Sequence, residues 1–411
     1  MKKEDTIQVS VAGSKSVINR LLTIASYADH TVTIENGSSC QDVQTMLTGL
    51  AACGMDACGD SPITLSGALR SGSVEVQDAG TAYRFLLARV ASEPGFVGDV
   101  IPSAQLSRRP IQPLIAALQA QGAHIRAAED GFYVEGTRLS GGTLSVDAGI
   151  SSQFISALLM VAPSYRQDLH LRLTGKAVSL PYIAMTIALM KQCGVVVDEV
   201  EDGFVVASGQ SYLVPDVLWA EPDYSSAAYF WALGALIPCT VETTSQRGRF
   251  LPSSSLHPDA GFLALMAAMG AEVHKTPKGI MVTKKYLAGI NVDMGSMPDQ
   301  VPTLAVLALC ASCPTVIRGI AHLRHKESDR IEALVTELSA LGADISYTRG
   351  TLKIHPLAAM PAPTLLHVHN DHRLAMAFGV LAARYPQISI DNRECVQKSY
   401  PGFWREMNRI H

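Results

Sequence analysis

The sequence predicts an α/β protein of two similar domains facing a cleft, each domain built from three repeated units. Two series of motifs carry this reading. In the first, a short polar or small-residue stretch precedes an apolar run of helical length, and this arrangement occurs six times. The starts are Gly13-Ser14-Lys15-Ser16, Ala79-Gly80-Thr81, Ser151-Ser152-Gln153, Ser225-Ser226, Met297-Pro298-Asp299 and Asn370-Asp371-His372. From Ser151 onward they are evenly spaced, as expected of an internal repeat. The second series interleaves with the first. Leu50 to Gly54, Leu118 to Gly122, Met190 to Gly194, Met266 to Gly270 and Leu338 to Gly342 each read as a helix closed by glycine and followed by a strand. Glycine suits the left-handed residue just past a helix end. Helices and short strands alternating in one unit imply sheets covered by helices.

At the first start, Ser14 or Ser16 is placed to cap the helix that continues through Leu21–Ala28. The orphan N–H groups of its first turn, the helix dipole and the charge of Lys15 together suit an anion. Arg20 lies one turn after Ser16 and faces the same way. The later apolar runs are Phe85–Ala91, Phe154–Val161, Ala227–Ile237, Leu304–Ala311 and Leu374–Ala383. Between them, Thr31–Glu35, His124–Ala127, Gly131–Glu135, Val195–Val200, Phe204–Ala207, Glu272–Lys275 and Thr351–His355 read as strands. Turns at Glu129-Asp130-Gly131, Glu201-Asp202-Gly203 and Arg349-Gly350 make hairpins of their neighbours. Periodicity is lost near 211–220, around Pro215, and the fourth unit begins at Glu221.

Bulk properties narrow the function. A chain of 411 residues is too long for one core. A net charge of −4 without a basic block excludes a nucleic-acid surface, so any anion site is local. Met1-Lys2-Lys3 resembles the start of a signal peptide, but Lys15, Asn19 and Arg20 interrupt the following apolar run. The stretch Leu304–Ile317 is too short to span a bilayer. A cytoplasmic monomer is expected, without nucleic-acid or membrane partners. Cysteines in apolar contexts, such as Cys53, Cys193 and Cys310, read as reduced core residues, and the Cys310/Cys313 pair ends a core helix. His367, His369 and His372 invite a metal. The alternation in Leu366-His367-Val368-His369 reads instead as a strand, and no metal is expected.

The charged groups cluster at the starts of the units. Lys326 and Arg330, four apart, share a helical face, with Glu327 three before Arg330. Arg108-Arg109-Pro110 reads as the beginning of a helix with proline in its first turn. Arg373 is positioned to pair with Asp371. Lys15, Arg20, Arg109, Lys326, Arg330, Arg373 and Lys398 together fit a site for two multiply anionic small molecules.

The ordered motifs resemble the enolpyruvyl transferase family, in its shikimate 3-phosphate branch. They run from Gly13-Ser14-Lys15-Ser16 with Asn19-Arg20, through Ala79-Gly80-Thr81-Ala82 with Arg84, Arg109-Pro110-Ile111, Ser151-Ser152-Gln153-Phe154 and Pro181-Tyr182-Ile183, into the second half. There they continue with Ser225-Ser226-Ala227, Pro298-Asp299, Lys326 to Arg330, Asn370 to Met376 and Lys398-Ser399-Tyr400-Pro401. The resemblance implies two inside-out α/β domains, 14–221 and 1–13 with 222–411. It also implies transfer of the enolpyruvyl (carboxyvinyl) group of phosphoenolpyruvate to the 5-hydroxyl of shikimate 3-phosphate, with release of phosphate and no cofactor. The residues it places on shikimate 3-phosphate are Lys15, Ser16, Arg20, Ser151, Ser152, Gln153, Ser179, Tyr182, Asp299 and Lys326. Those it places on phosphoenolpyruvate are Lys15, Gly80, Arg109, Gln153, Arg330, Arg373 and Lys398. Asp299, Glu327 and Lys15 are the implied proton carriers. The sequence departs from the family at Ala12 (usually proline), Asp78 and His322 (usually asparagine) and Leu180 (often basic). The alternatives are transfer to UDP-N-acetylglucosamine, which calls for a cysteine or aspartate in the loop 101–108, and a silent metabolite-binding paralogue. That loop has no cysteine.

Overall fold

The computed structural model describes residues 6–238, 240–245 and 254–410; Met1-Lys2-Lys3 lies outside them. The chain forms two compact units, one of Gly13–Ala220 and one of Met1–Ala12 with Glu221–His411.

Within Gly13–Ala220, each repeat folds into a four-stranded sheet with the same order. Strand Val74–Gln77 pairs in parallel with Val97–Pro102, which is antiparallel to Gly131–Glu135, which in turn is antiparallel to His124–Ala128. The next repeat copies this with Gly142–Asp147, Leu169–Thr174, Gly203–Val206 and Asp198–Val200. The first repeat lacks its own first strand and takes Val217–Trp219 from the far end of the unit, which pairs in parallel with Val32–Glu35. The other unit uses the same device. Thr6–Val11 lies parallel to Thr240–Ser245, ahead of Gly279–Thr283 and Glu272–Lys275. Asn291–Asp293, Thr315–Arg318, Thr351–Ile354 and Ile345–Thr348 form the next sheet, and the sixth repeat keeps only the parallel pair Thr364–Leu366 and Ile388–Ile390.

The first helix of each repeat is buried on nearly every side. Every residue of Tyr224–Leu236 and of Val301–Leu309 is buried. A helix that is apolar all round belongs inside a core rather than on its surface. Gly80–Ala91 packs against both Lys15–Ala25 and Ser152–Val161, and His372–Arg384 packs against Tyr224–Leu236 and Val301–Leu309. The sheets therefore lie outside their helices. The second helices end as expected: Gly54, Gly122, Gly194, Gly270 and Gly342 all have positive φ, from 82° to 100°.

Several local expectations give way to side-chain competition for backbone groups. Val195–Val200 is a strand only over Asp198–Val200, because the Gln210 amide accepts from Val196 N and donates to Val196 O. The strand at Leu366 stops there. The amides of His367 and Val368 donate to the carboxylates of Glu337 and Asp391 instead of to a neighbouring strand. Met297-Pro298-Asp299 does not open an α-helix directly; Pro298–Gln300 is a 3-10 turn and the helix begins at Val301.

Candidate active site

In the unit Gly13–Ala220, most of the candidate side chains sit at or near helix starts. Ser14, not Ser16, caps Lys15–Ala25. Lys15 is only 9 % exposed, and its ammonium pairs with Asp42 at 2.5 Å. Asp42 opens the helix Gln41–Ala52 and was not anticipated from sequence. Arg20 is buried. Its Nε donates to Thr186 Oγ1 at 2.6 Å, Nη1 to Ser16 O at 2.7 Å and Nη2 to Ser156 Oγ at 3.3 Å. It lies over the rings of Phe85 and Tyr182 at 5.2 and 6.0 Å, and burial pushes its pKa down to about 10. Arg20 thus ties three helices together as well as contributing charge.

Gly80 begins its helix with two guanidinium groups against it. A Cβ there would lie 2.7 Å from Arg109 Nη1 and 2.8 Å from Arg84 Nη1, so only glycine leaves both arginines in place. Arg84 is held by the carbonyls of Gly80 and Pro110. Arg109 follows a 3-10 turn, Leu106–Arg108, and the next helix starts only at Gln112, which corrects the expected helix start at Pro110. Asp78 accepts from the hydroxyl of Ser103. Ser151 caps Ser152–Val161, and Gln153 Nε2 donates to Thr81 Oγ1 at 3.1 Å, joining the first turns of two helices. Gly80, Arg109 and Gln153 are therefore neighbours. Ser179 opens Leu180–Gln192 in the left-handed region (φ 54°), a conformation that costs a non-glycine residue of order 1–3 kcal/mol. Leu180 beside it is half exposed.

The other unit gathers a dense ionic group. Arg330 is 1 % exposed and spreads its fork over three carboxylates: Nε to Asp371 at 2.8 Å, Nη1 to Asp299 at 2.9 Å and Nη2 to Glu327 at 2.7 Å. Arg373 donates through Nη2 to Asp299 at 3.1 Å and through Nη1 to Tyr229 at 3.4 Å. Its side chain does not pair with Asp371, as the sequence suggested; Asp371 caps the backbone N–H of Arg373 and gives its carboxylate to Arg330. The helix here begins at Arg330, so Lys326 and Glu327 are on the loop before it and do not share its face. Burial pushes the Asp299 carboxyl up, but Arg373, Arg330 and Lys326 outweigh burial and hold it well below the usual range. Burial disfavours charge on Arg330 as well, yet Asp371, Glu327 and Asp299 raise its pKa. His322 is buried with Nε2 unbonded, and burial, then Lys326, pushes it down to about 4. Lys398 is buried at the end of the turn Glu394–Lys398. His367 and His369 pair with Asp391 and Glu337.

Known proteins share this architecture. EPSP synthase from Acinetobacter baumannii superposes with a TM-score of 0.79 at 22% identity, covering 99% of this chain and 96% of that one. The enolpyruvyl transferase NikO from Streptomyces tendae gives 0.76 at 18% identity, covering 98% and 94%. The fold is that of the enolpyruvyl transferases. The family model of EPSP synthase (3-phosphoshikimate 1-carboxyvinyltransferase) matches residues 3–407, and the chain belongs to that family. The 3-phosphoshikimate 1-carboxyvinyltransferases of Haemophilus ducreyi and of a Marinomonas species are each 34% identical to it. They span 98% of this chain and are themselves covered to 95% and 96%.

Proposed function

We propose that the protein transfers the carboxyvinyl group of phosphoenolpyruvate to the 5-hydroxyl of shikimate 3-phosphate. The observation that carries this for the chain's own residues is the carboxylate Asp299 set between two buried arginines, with Glu327 on the same guanidinium. The reaction needs this combination of proton carriers and fixed cations. The ring hydroxyl attacks C2 of the enol and gives its proton to Asp299. C3 takes a proton from Glu327 or Lys15, leaving a tetrahedral ketal phosphate. C3 then returns its proton to the group that supplied it, the C2–O bond to phosphate breaks, and phosphate leaves with the proton held by Asp299, so that the enol ether and phosphate depart and the base is restored. Preorganised cations are worth most where charge develops on the departing group. Arg330, Arg373, Lys398, Lys15, Gly80, Arg109 and Gln153 are assigned to phosphoenolpyruvate. Ser16, Arg20, Ser151, Ser152, Gln153, Ser179, Tyr182, Asp299 and Lys326 are assigned to shikimate 3-phosphate, with Lys15 beside them. The protein acts as a soluble cytoplasmic monomer in aromatic biosynthesis.

Phosphate release from phosphoenolpyruvate is the test. Release is expected only when shikimate 3-phosphate is added, and a chelator should not change it. Equal release with UDP-N-acetylglucosamine, or loss of activity with chelator, rejects the reading.

Asp78 makes a second test, because it places a carboxylate two residues before Gly80. At ~5 Å and an effective dielectric of ~20, repulsion of one anionic charge is about 3 kcal/mol before screening. Arg84 and Arg109, converging on Gly80, oppose it. Asp78→Asn is expected to tighten phosphoenolpyruvate binding by up to about tenfold, equivalent to about 1.4 kcal/mol, with shikimate 3-phosphate binding unchanged. An unchanged or weaker phosphoenolpyruvate KM means that the cations already cancel the charge.

A further inference from the structure

We propose that Asp299 is a base held in check by its own arginines, and that the anionic cosubstrate releases it by taking the N–H groups of Arg330 and Arg373. This rests on the functional reading above. Each Asp299 oxygen accepts from a different guanidinium, Oδ1 from Arg330 and Oδ2 from Arg373. A carboxylate so stabilised as an anion is a poor proton acceptor. A base that must take a hydroxyl proton works best with a pKa nearer the working pH. Held this way, Asp299 is the right residue in the wrong state.

The two arginines differ in how they are held. Arg330 is anchored through Nε to Asp371, which is fully buried and is also supported by the hydroxyl of Ser328. Nη1 can change partner without moving that anchor, whereas Nη2, besides Glu327, also reaches Asp371 Oδ1 at 3.4 Å. Arg373 is looser: Nη1 reaches Tyr229 only at 3.4 Å, and Nε is buried with no hydrogen bond. The carboxylate and phosphate of the cosubstrate present the same planar or multidentate acceptors as a protein carboxylate, and guanidinium groups bind both. Exchange of Asp299 for the cosubstrate satisfies the open Arg373 Nε and removes the groups that keep Asp299 ionised. Burial, the largest influence, and Glu327 then remain to push the carboxyl up, against Lys326 alone.

The other groups facing Asp299 leave it as the one that responds. Tyr229, on the helix Tyr224–Leu236, is kept a neutral phenol by burial, which pushes it up to about 12. His322, on the turn Ala321–His325, is neutral because burial and Lys326 hold it near 4. Lys326 and Glu327, on the loop before Arg330, bring one charge of each sign. Arg330, Arg373 and Lys326 only balance Asp299, Glu327 and Asp371, so an added anion is most cheaply accommodated by a proton on the carboxylate it displaces. In turnover that proton comes from the attacking hydroxyl, which couples activation of the base to the arrival of the second substrate.

Two measurements test this. In the wild type, the acid limb of kcat is expected at least about one pH unit above the acid limb of kcat/KM for phosphoenolpyruvate, after correction for the substrate's own phosphate ionisation. The first reports the complex and the second the free protein. Coincident limbs overturn the proposal. The second measurement uses 2-phospholactate, a saturated analogue that cannot react, bound in the presence of shikimate 3-phosphate. Calorimetry at mildly acidic pH in two buffers of different ionisation heat counts the protons taken up. The wild type is expected to take up more than Asp299→Asn, and equal uptake overturns the proposal. Absence of any phosphate release from phosphoenolpyruvate removes the functional reading and this inference together. Release with coincident limbs removes the inference alone.

Discussion

Asp299→Ala is expected to lower kcat by about 100- to 10,000-fold, the usual contribution of a general acid–base group. Glu327→Ala should fall in the same range, because both carboxylates sit on Arg330 and both are proposed as proton carriers. KM for phosphoenolpyruvate should change far less, or improve for Asp299→Ala, since the alanine frees Nη1 of Arg330 and Nη2 of Arg373 for the substrate. The fold should tolerate the change. Asp299 lies on a 3-10 turn with its side chain 23% exposed, while Asp371 and Glu327 continue to hold Arg330. Steady-state kinetics with each substrate varied, alongside thermal unfolding, separates the two effects. A variant with near-normal kcat takes Asp299 out of the chemistry.

The repeat made most of the architecture legible, because it is written in local signals. Capped apolar runs and terminal glycines depend on a few consecutive residues, and Gly54, Gly122, Gly194, Gly270 and Gly342 all adopt the backbone that their position implied. What escaped depends on distant partners. Val217–Trp219 completes a sheet begun at Val32, and nothing near Val217 announces that destination. Asp42 is one acidic residue at a helix start, and its meaning appears only when Lys15 is seen against it. The pairing of Arg373 with Asp371 was inferred from closeness in sequence. The structure gives the Asp371 carboxylate to Arg330, 41 positions away, because a helix-capping carboxylate points its second oxygen off its own helix. Arg20 shows a related limit: sequence reveals a charge near an anion site, whereas packing shows that its N–H groups also fasten Thr186 and Ser156.

Arg330→Ala is expected to damage stability and activity together, and more than any other single change at this site. The substitution leaves Asp371, which has no exposed surface, without its guanidinium partner; the Ser328 hydroxyl and the backbone N–H of Arg373 remain as donors. Breaking a buried ion pair from one side costs about 3–5 kcal/mol, because a desolvated charge loses its compensation. At roughly 2–4 °C per kcal/mol for a unit of this size, melting should drop by about 6–20 °C. Affinity for phosphoenolpyruvate should fall as well, since Nη1 and Nη2 are the groups assigned to it. Arg330→Lys discriminates between charge and geometry. It restores a cation near Asp371 and should recover much of the stability, but a single ammonium cannot serve Asp371, Glu327 and a substrate anion from one plane. Its kcat/KM should therefore stay low while its melting temperature approaches that of the wild type. If Arg330→Ala melts within about a degree of the wild type, Asp371 is stabilised by other groups, and its bond to Arg330 is not the anchor on which the release of Asp299 depends.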